Sequence, residues 1–250
     1  MTDKQIRLNR IFKQDGKTVI AAMDHGIGGI TPLAHLEFPR TLLPELIQNG
    51  ADAIITTPGI VRYCPDLFAG AGLILRIDGG PSILTGDWGK MEIIRSVEDA
   101  IKMGADAVIM MGITGTPDEA HSLATMGKII ARCDDWGIPL VAEMLPGGFT
   151  AKEVTLDQLI ISARLGAELG ADIVKMRYQG TAESYRAVAS ACYVPLVVLG
   201  GSRQSPEDLL QEIRQSQIAG ARGVAVGRNL WQADKPGQVL SQIVKAVHKK

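Results

Sequence analysis

Gly170-Ala171-Asp172-Ile173-Val174-Lys175-Met176-Arg177-Tyr178 ends one structural unit and starts the next. A glycine just past an amphipathic stretch supplies the left-handed conformation that stops a helix. The short apolar run behind it, rich in β-branched residues, reads as a buried parallel strand. The phrase recurs. Gly50-Ala51-Asp52 precedes AIITTP, Gly104-Ala105-Asp106 precedes AVIMMG, and Gly220-Ala221-Arg222 precedes GVAVGR. Each is a helix-to-strand joint, and each interval between joints leaves room for one further strand. TVIAAMDH (18–25) precedes the first joint; GLILRIDGG (72–80), IPLVAEML (138–145) and VPLVVLGG (194–201) fill the gaps.

Helical signals lie between most of these runs. Thr116-Pro117-Asp118-Glu119 and Thr155-Leu156-Asp157-Gln158 have the spacing of capping boxes. Ser205 followed by Pro206 marks another helix start. Behind Thr155, the residues Leu159, Ile160, Ala163 and Ala167 make one apolar helical face. The weakest helix expectation lies between strands 2 and 3, where Pro65 and Gly70 intrude. Eight strand–helix alternations in 250 residues predict an α/β protein, a single (β/α)8 TIM barrel spanning residues 1–250. A doubly wound open sheet is the alternative.

Composition narrows the function classes. Charged residues are 21%, the hydrophobic fraction is 46% and the net charge is −1, which argues against disorder and against bulk attraction to nucleic acid or an anionic membrane. No apolar run reaches the roughly 20 residues of a membrane span. The cysteines Cys64, Cys133 and Cys192 form no CxxC pair and are odd in number. A disulfide framework is therefore not expected, and a reducing, cytoplasmic compartment is. The charged start MTDKQIRLNR has no apolar h-region, so no signal peptide is expected. No His, Asp or Glu set has metal-ligand spacing, and GxGxxG is absent, so neither a metal nor a dinucleotide cofactor is expected.

Chemistry in such a barrel sits at the C-terminal ends of the strands. Lys175 is the sharpest signal, since alternation puts it on one face with Ala171 and Ile173. A lysine aimed into a barrel is desolvated, and burial can lower its pKa by several units. A neutral amine attacks a carbonyl and forms a Schiff base; the bland reading is a lysine satisfied by a buried carboxylate. Asp24 ends strand 1, where a carboxylate could orient a hydroxyl, pair with Lys175 or merely cap a turn. His25 follows it, and alternation points it away from Asp24. Glu143 shares a face with Val141 and Leu145. It reads equally as a general acid or base and as an ion-pair partner of Lys175 or Arg177. Arg76 and Asp78 read as a structural pair, and Tyr178 as packing. Gly200-Gly201-Ser202 and Gly227-Arg228-Asn229 follow strands 7 and 8, the usual phosphate position of this fold. Glycines let backbone N–H groups approach an anion, and Arg228 adds a bidentate fork.

The sequence resembles the archaeal-type class I aldolases. This family includes fructose-bisphosphate aldolases, an aromatic-precursor aldolase/transaldolase and the thiolase that processes phosphorylated autoinducer-2. RLNRIF, AAMDHG, ARLGAELGADIVK, VPLVVLGG and GVAVGRNLWQ carry the resemblance over most of the chain. It implies that Lys175 is the Schiff-base lysine and Asp24 a catalytic or hydroxyl-binding carboxylate. It also implies that a phosphorylated keto substrate sits around Gly201, Ser202, Gly227 and Arg228. Aldolase members resemble one another in a Tyr-Pro-Arg-Gly stretch after strand 5, whose tyrosine moves protons. Here the segment is Met144-Leu145-Pro146-Gly147-Gly148. Leu145 moves no proton, and Glu143 is the candidate substitute, provided its pKa is raised toward the working pH. The expected activity is carbon–carbon bond cleavage or formation through a lysine imine, in a homo-oligomer. Thiolase-like acyl transfer, isomerisation by Asp24 and Glu143, and ligand binding without turnover stay open.

Overall fold

All eight apolar runs form strands in the computed structural model, which describes residues 3–85, 90–149, 151 and 153–248. The strands are β1 (Thr18–Ala22), β2 (Ala53–Thr56), β3 (Gly72–Arg76) and β4 (Ala107–Thr114). They continue with β5 (Leu140–Pro146), β6 (Ile173–Arg177), β7 (Leu196–Leu199) and β8 (Gly223–Val226). Every neighbour pair is parallel, and β8 pairs with β1, so the barrel closes and the open-sheet alternative falls. The joint glycines Gly50, Gly104, Gly170 and Gly220 take φ values of +97°, +82°, +101° and +113°, the region that penalises any side chain.

Continuous apolar strands suit this closure because both faces are covered. Ile20, Ile55, Ile74, Ile109, Val141 and Ile173 point inward and fill the barrel. Alternate residues such as Val19, Ile54, Leu75, Ala142, Val174 and Met176 face the surrounding helices. Helix α1 (Asp3–Ile11) closes the N-terminal end, with Ile11 fully buried in the inner cluster.

The aspartates of the recurring phrase have a common task. Asp52, before β2, accepts the Val19 N–H of β1 at 2.6 Å. Asp106, before β4, accepts the Leu73 N–H of β3 at 3.0 Å, and Asp172, before β6, accepts the Leu140 N–H of β5 at 2.9 Å. A cation from the N-terminal segment reaches each: Lys13 to Asp52, Arg10 to Asp106 and Lys4 to Asp172. The phrase therefore builds the barrel's floor and ties α1 across it. At the fourth joint, among the described residues, Arg222 bonds through its backbone alone, to Leu196 and Thr18.

The remaining helices are α2 (Pro39–Gln48), α3 (Pro58–Tyr63), α4 (Val97–Lys102), α5 (Glu119–Trp136), α6 (Leu156–Glu168), α7 (Ala182–Ala191), α8 (Pro206–Ala219), α9 (Arg228–Trp231) and α10 (Pro236–Val247). Thr155 forms the expected capping box with Gln158, and Ser205 caps α8. The Thr116 box does not form. Asp118 occupies the cap position of α5, Thr116 Oγ1 is buried without a partner, and the Glu119 carboxylate instead accepts the Gly115 N–H. The weak stretch after β2 is a six-residue helix followed by a 3-10 turn at Pro65–Leu67. The expected strand 3 divides: after β3, Asp78–Gly79 pairs antiparallel with Glu92–Ile93. Among the described residues no helix is long and apolar enough to cross a membrane.

Candidate active site

The C-terminal mouth holds a cavity of about 620 Å³ lined by Asp24, His25, Arg76, Glu143, Lys175 and Arg228, with the β7 glycine loop on one wall. The inner face of β6 carries Ile173, then Lys175, then Arg177. Ala171 lies before the strand and packs with the outer core, so it does not share that face as expected. Glu143 and Lys175 are register partners on adjacent strands. That register puts their side chains in one layer, and buried Lys175 donates to Glu143 Oε1.

Arg76 does more than the structural pairing its sequence position predicts. It pairs with Asp78 at 2.8 Å, as expected, but also donates to Asp24 and to Glu143. It is almost fully enclosed. Asp24 and Lys175 are therefore joined through Arg76 and Glu143. The signal for this was available: Arg76 follows inward-facing Ile74 by two residues, the same alternation that singled out Lys175. Glu143 bonds Lys175 and Arg76 rather than Arg177.

Burial alone would raise the pKa of Glu143, but the Lys175 ammonium and Arg76 guanidinium outweigh it and hold this carboxyl below its ordinary value. The raised pKa anticipated from the sequence is thus not the resting condition. Burial would likewise raise Asp24, and the Arg76 guanidinium, with Lys175 assisting, drives it well below the carboxylate range. Asp78 goes the other way: desolvation exceeds the attraction of Arg76 and lifts it. Burial also lowers His25, which favours neutral imidazole.

His25 does not alternate away from Asp24, because β1 ends at Ala22 and a 3-10 turn begins at His25. Its Nδ1 lies 3.5 Å from Asp24 Oδ1, without a hydrogen bond, and its ring meets Trp231 edge-on. Gly227 is needed there for space, since a Cβ would stand 2.2 Å from the His25 ring. Gly200 is also more structural than expected. Its N–H donates to Ala225 and its carbonyl accepts from Asn229, so it has no amide to offer an anion. Asn229, expected as part of the phosphate position, has its side chain taken up by the loop: it also donates to the Ser202 carbonyl and accepts the Gln204 N–H, lashing the β7 loop to β8. Gly201 has φ +64° and open space at its Cβ position. Among the described residues, the N–H groups of Gly201 and Ser202 have no protein acceptor. Among the described residues Arg228 Nε is buried without a partner, and Leu145 lines the same mouth.

Residues 18–233 match the family described as DeoC/LacD family aldolase. The chain belongs to this family. The aldolase is 37% identical over 249 residues to 2-amino-3,7-dideoxy-D-threo-hept-6-ulosonate synthase 1 of Archaeoglobus fulgidus, covering 99% of this chain and 92% of that one. It is 32% identical to 2-amino-4,5-dihydroxy-6-oxo-7-(phosphonooxy)heptanoate synthase of Streptomyces griseus, covering 98% and 90%. Among solved structures it resembles an archaeal fructose-1,6-bisphosphate aldolase whose catalytic lysine is covalently bound to the carbinolamine intermediate. That match has a TM-score of 0.88 at 28% identity and covers 98% and 99% of the two chains. The family is one of aldolases, enzymes that make or break carbon–carbon bonds.

Proposed function

We propose that Lys175 is the imine-forming lysine and that Glu143 moves the protons of the reaction on a phosphorylated keto substrate. The observation that carries this reading is the direct bond between buried Lys175 and ionised Glu143 at the cavity floor. Glu143 takes the proton of the Lys175 ammonium, and the freed amine adds to the keto carbon. The carbinolamine hydroxyl then takes that proton back and leaves as water, giving the iminium. In cleavage the iminium draws in the electron pair of the breaking carbon–carbon bond. Glu143 accepts the proton of the substrate hydroxyl as an aldehyde departs. The same proton returns to the enamine carbon, and water releases the ketone.

Asp24, held ionised by Arg76, accepts a hydrogen bond from a substrate hydroxyl and orients it. Gly201, Ser202 and Arg228 hold the phosphate, with Gly200 and Gly227 shaping the loops around it. His25 fixes the wall beside Asp24. Leu145 leaves Glu143 as the nearest proton carrier in place of the family tyrosine. Two relatives above 30% identity are named synthases, which supports bond formation, the enamine adding to an aldehyde, as the working direction.

Borohydride reduction in the presence of a panel of phosphorylated ketoses, read by intact mass and peptide mapping, tests the proposal. A ketone-derived mass increment on the peptide containing Lys175, absent in Lys175→Ala, is the expected result. Full activity in Lys175→Arg would refute it, because a guanidinium is never deprotonated in a protein.

A further inference from the structure

We propose that Arg177 is a second arm of the phosphate site, opposing Arg228 across the β7 loop, so that two guanidinium groups grip one phosphate. The inference rests on the reading above that the β7 and β8 loops hold that phosphate. Arg177 ends β6 on the face that already carries Ile173 and Lys175, and it lines the same cavity. Its register partner on β7 is Leu199, the residue just before Gly200. Arg228 stands at the other flank, separated from the end of β8 by Gly227 alone. β6 and β8 are two strand spacings apart, about 10 Å, so long side chains leaning in from both can meet above the β7 loop.

The charge balance points the same way. Lys175 and Arg76 are bonded to Glu143, Asp24 and Asp78. Among the described residues Asp24 and Glu143 are the acids that line the cavity, and both are engaged. Among the described residues the side chains of Arg177 and Arg228 have neither an ion pair nor a hydrogen bond, and Arg228 Nε is shut off from water as well. Two unmatched guanidinium groups flank a loop with two unused N–H donors. A phosphate monoester carries about −1.5 to −2 charges and three acceptor oxygens, which matches both cations and both amides. A single guanidinium would leave roughly half that charge unanswered.

Inorganic phosphate is the probe, titrated by calorimetry into the native enzyme, Arg177→Gln, Arg228→Gln and Arg177→Lys, with circular dichroism to confirm folding. Each glutamine variant should weaken phosphate by about tenfold or more. Arg177→Lys, which keeps the charge but loses the fork, should fall between native and Arg177→Gln. In borohydride trapping, Arg177→Gln should lose much of the preference for dihydroxyacetone phosphate over dihydroxyacetone. Phosphate affinity within twofold of native in Arg177→Gln, beside a clear loss in Arg228→Gln, overturns the role of Arg177 and leaves the phosphate site standing. Unchanged affinity in both variants, or no binding to the native enzyme, overturns the site and the clamp together. Trapping on Lys175 reads the imine chemistry independently of either result.

Discussion

At the residue scale, the chemistry depends on how five buried charges satisfy one another. Arg76 holds three carboxylates at once, and removing one partner from such a buried cluster generally costs about 3–5 kcal/mol. The arrangement keeps Asp24 and Glu143 ionised inside a low-dielectric cavity where each alone would take up a proton. Glu143→Gln keeps the shape and loses the exchangeable proton. Turnover should fall by roughly 10²–10⁴, the usual worth of a positioned acid or base. Imine should still accumulate on Lys175 over a long borohydride incubation. Normal turnover would make Glu143 a structural counterion only. The pH profile gives a second check. Because the Glu143 carboxyl titrates below its ordinary 4.5, the acid limb of kcat/KM in the native enzyme should lie below that value.

At the element scale, the Gly-Ala-Asp joints do two jobs. The glycine ends a helix, and the aspartate two residues later caps the first N–H groups of the preceding strand. Asp106 is buried and supports Leu73, whereas its partner Arg10 is largely exposed. The two should therefore contribute unequally. Asp106→Ala leaves a buried strand N–H unsatisfied and should cost about 1–3 kcal/mol. Arg10→Ala removes a solvent-screened ion pair and should cost at most about 1 kcal/mol. Urea unfolding of both variants measures the difference; a larger loss for Arg10→Ala would show that the floor is held by the cation rather than by the cap.

At the scale of the whole molecule, the C-terminal end of the described chain is tied to the loop before β1 and to the joint before β2. His248, just past α10, bonds Asp15 through Nδ1 and Asp52 through Nε2, both at 2.8 Å. The Asp52 bond, against burial and with Asp15 assisting, raises the imidazole pKa above 6.5. A pKa raised by folding contributes stability that is complete below the unfolded value and disappears as pH climbs through the folded one. Unfolding free energies measured from pH 5.5 to 9 should therefore show a loss on the alkaline side of 6.5 in the native protein. His248→Gln should flatten that part of the curve. An identical slope in both proteins would mean that the doubly bonded imidazole carries no net proton on folding.

The sequence determined the elements and their facing. Alternating strands, joint glycines and the Thr155 and Ser205 caps are local rules, satisfied within a few residues, and they place Lys175, Glu143 and Asp24 at the mouth before any tertiary contact is known. The Thr116 box failed because its Glu119 found the Gly115 N–H instead. Which charges meet was decided by closure and register. Glu143 pairs with Lys175 because β5 and β6 align there, and Arg76 reaches Asp24 and Glu143 only across the closed interior. Strand spacing in sequence carries no record of that stagger. Ionisation follows the same logic: Glu143 looks like a raised acid when its strand is read alone, and two cations from other strands reverse the sign. Gly227 is glycine for a ring contributed by β1's loop, a neighbour far away in sequence, made adjacent because β8 closes on β1.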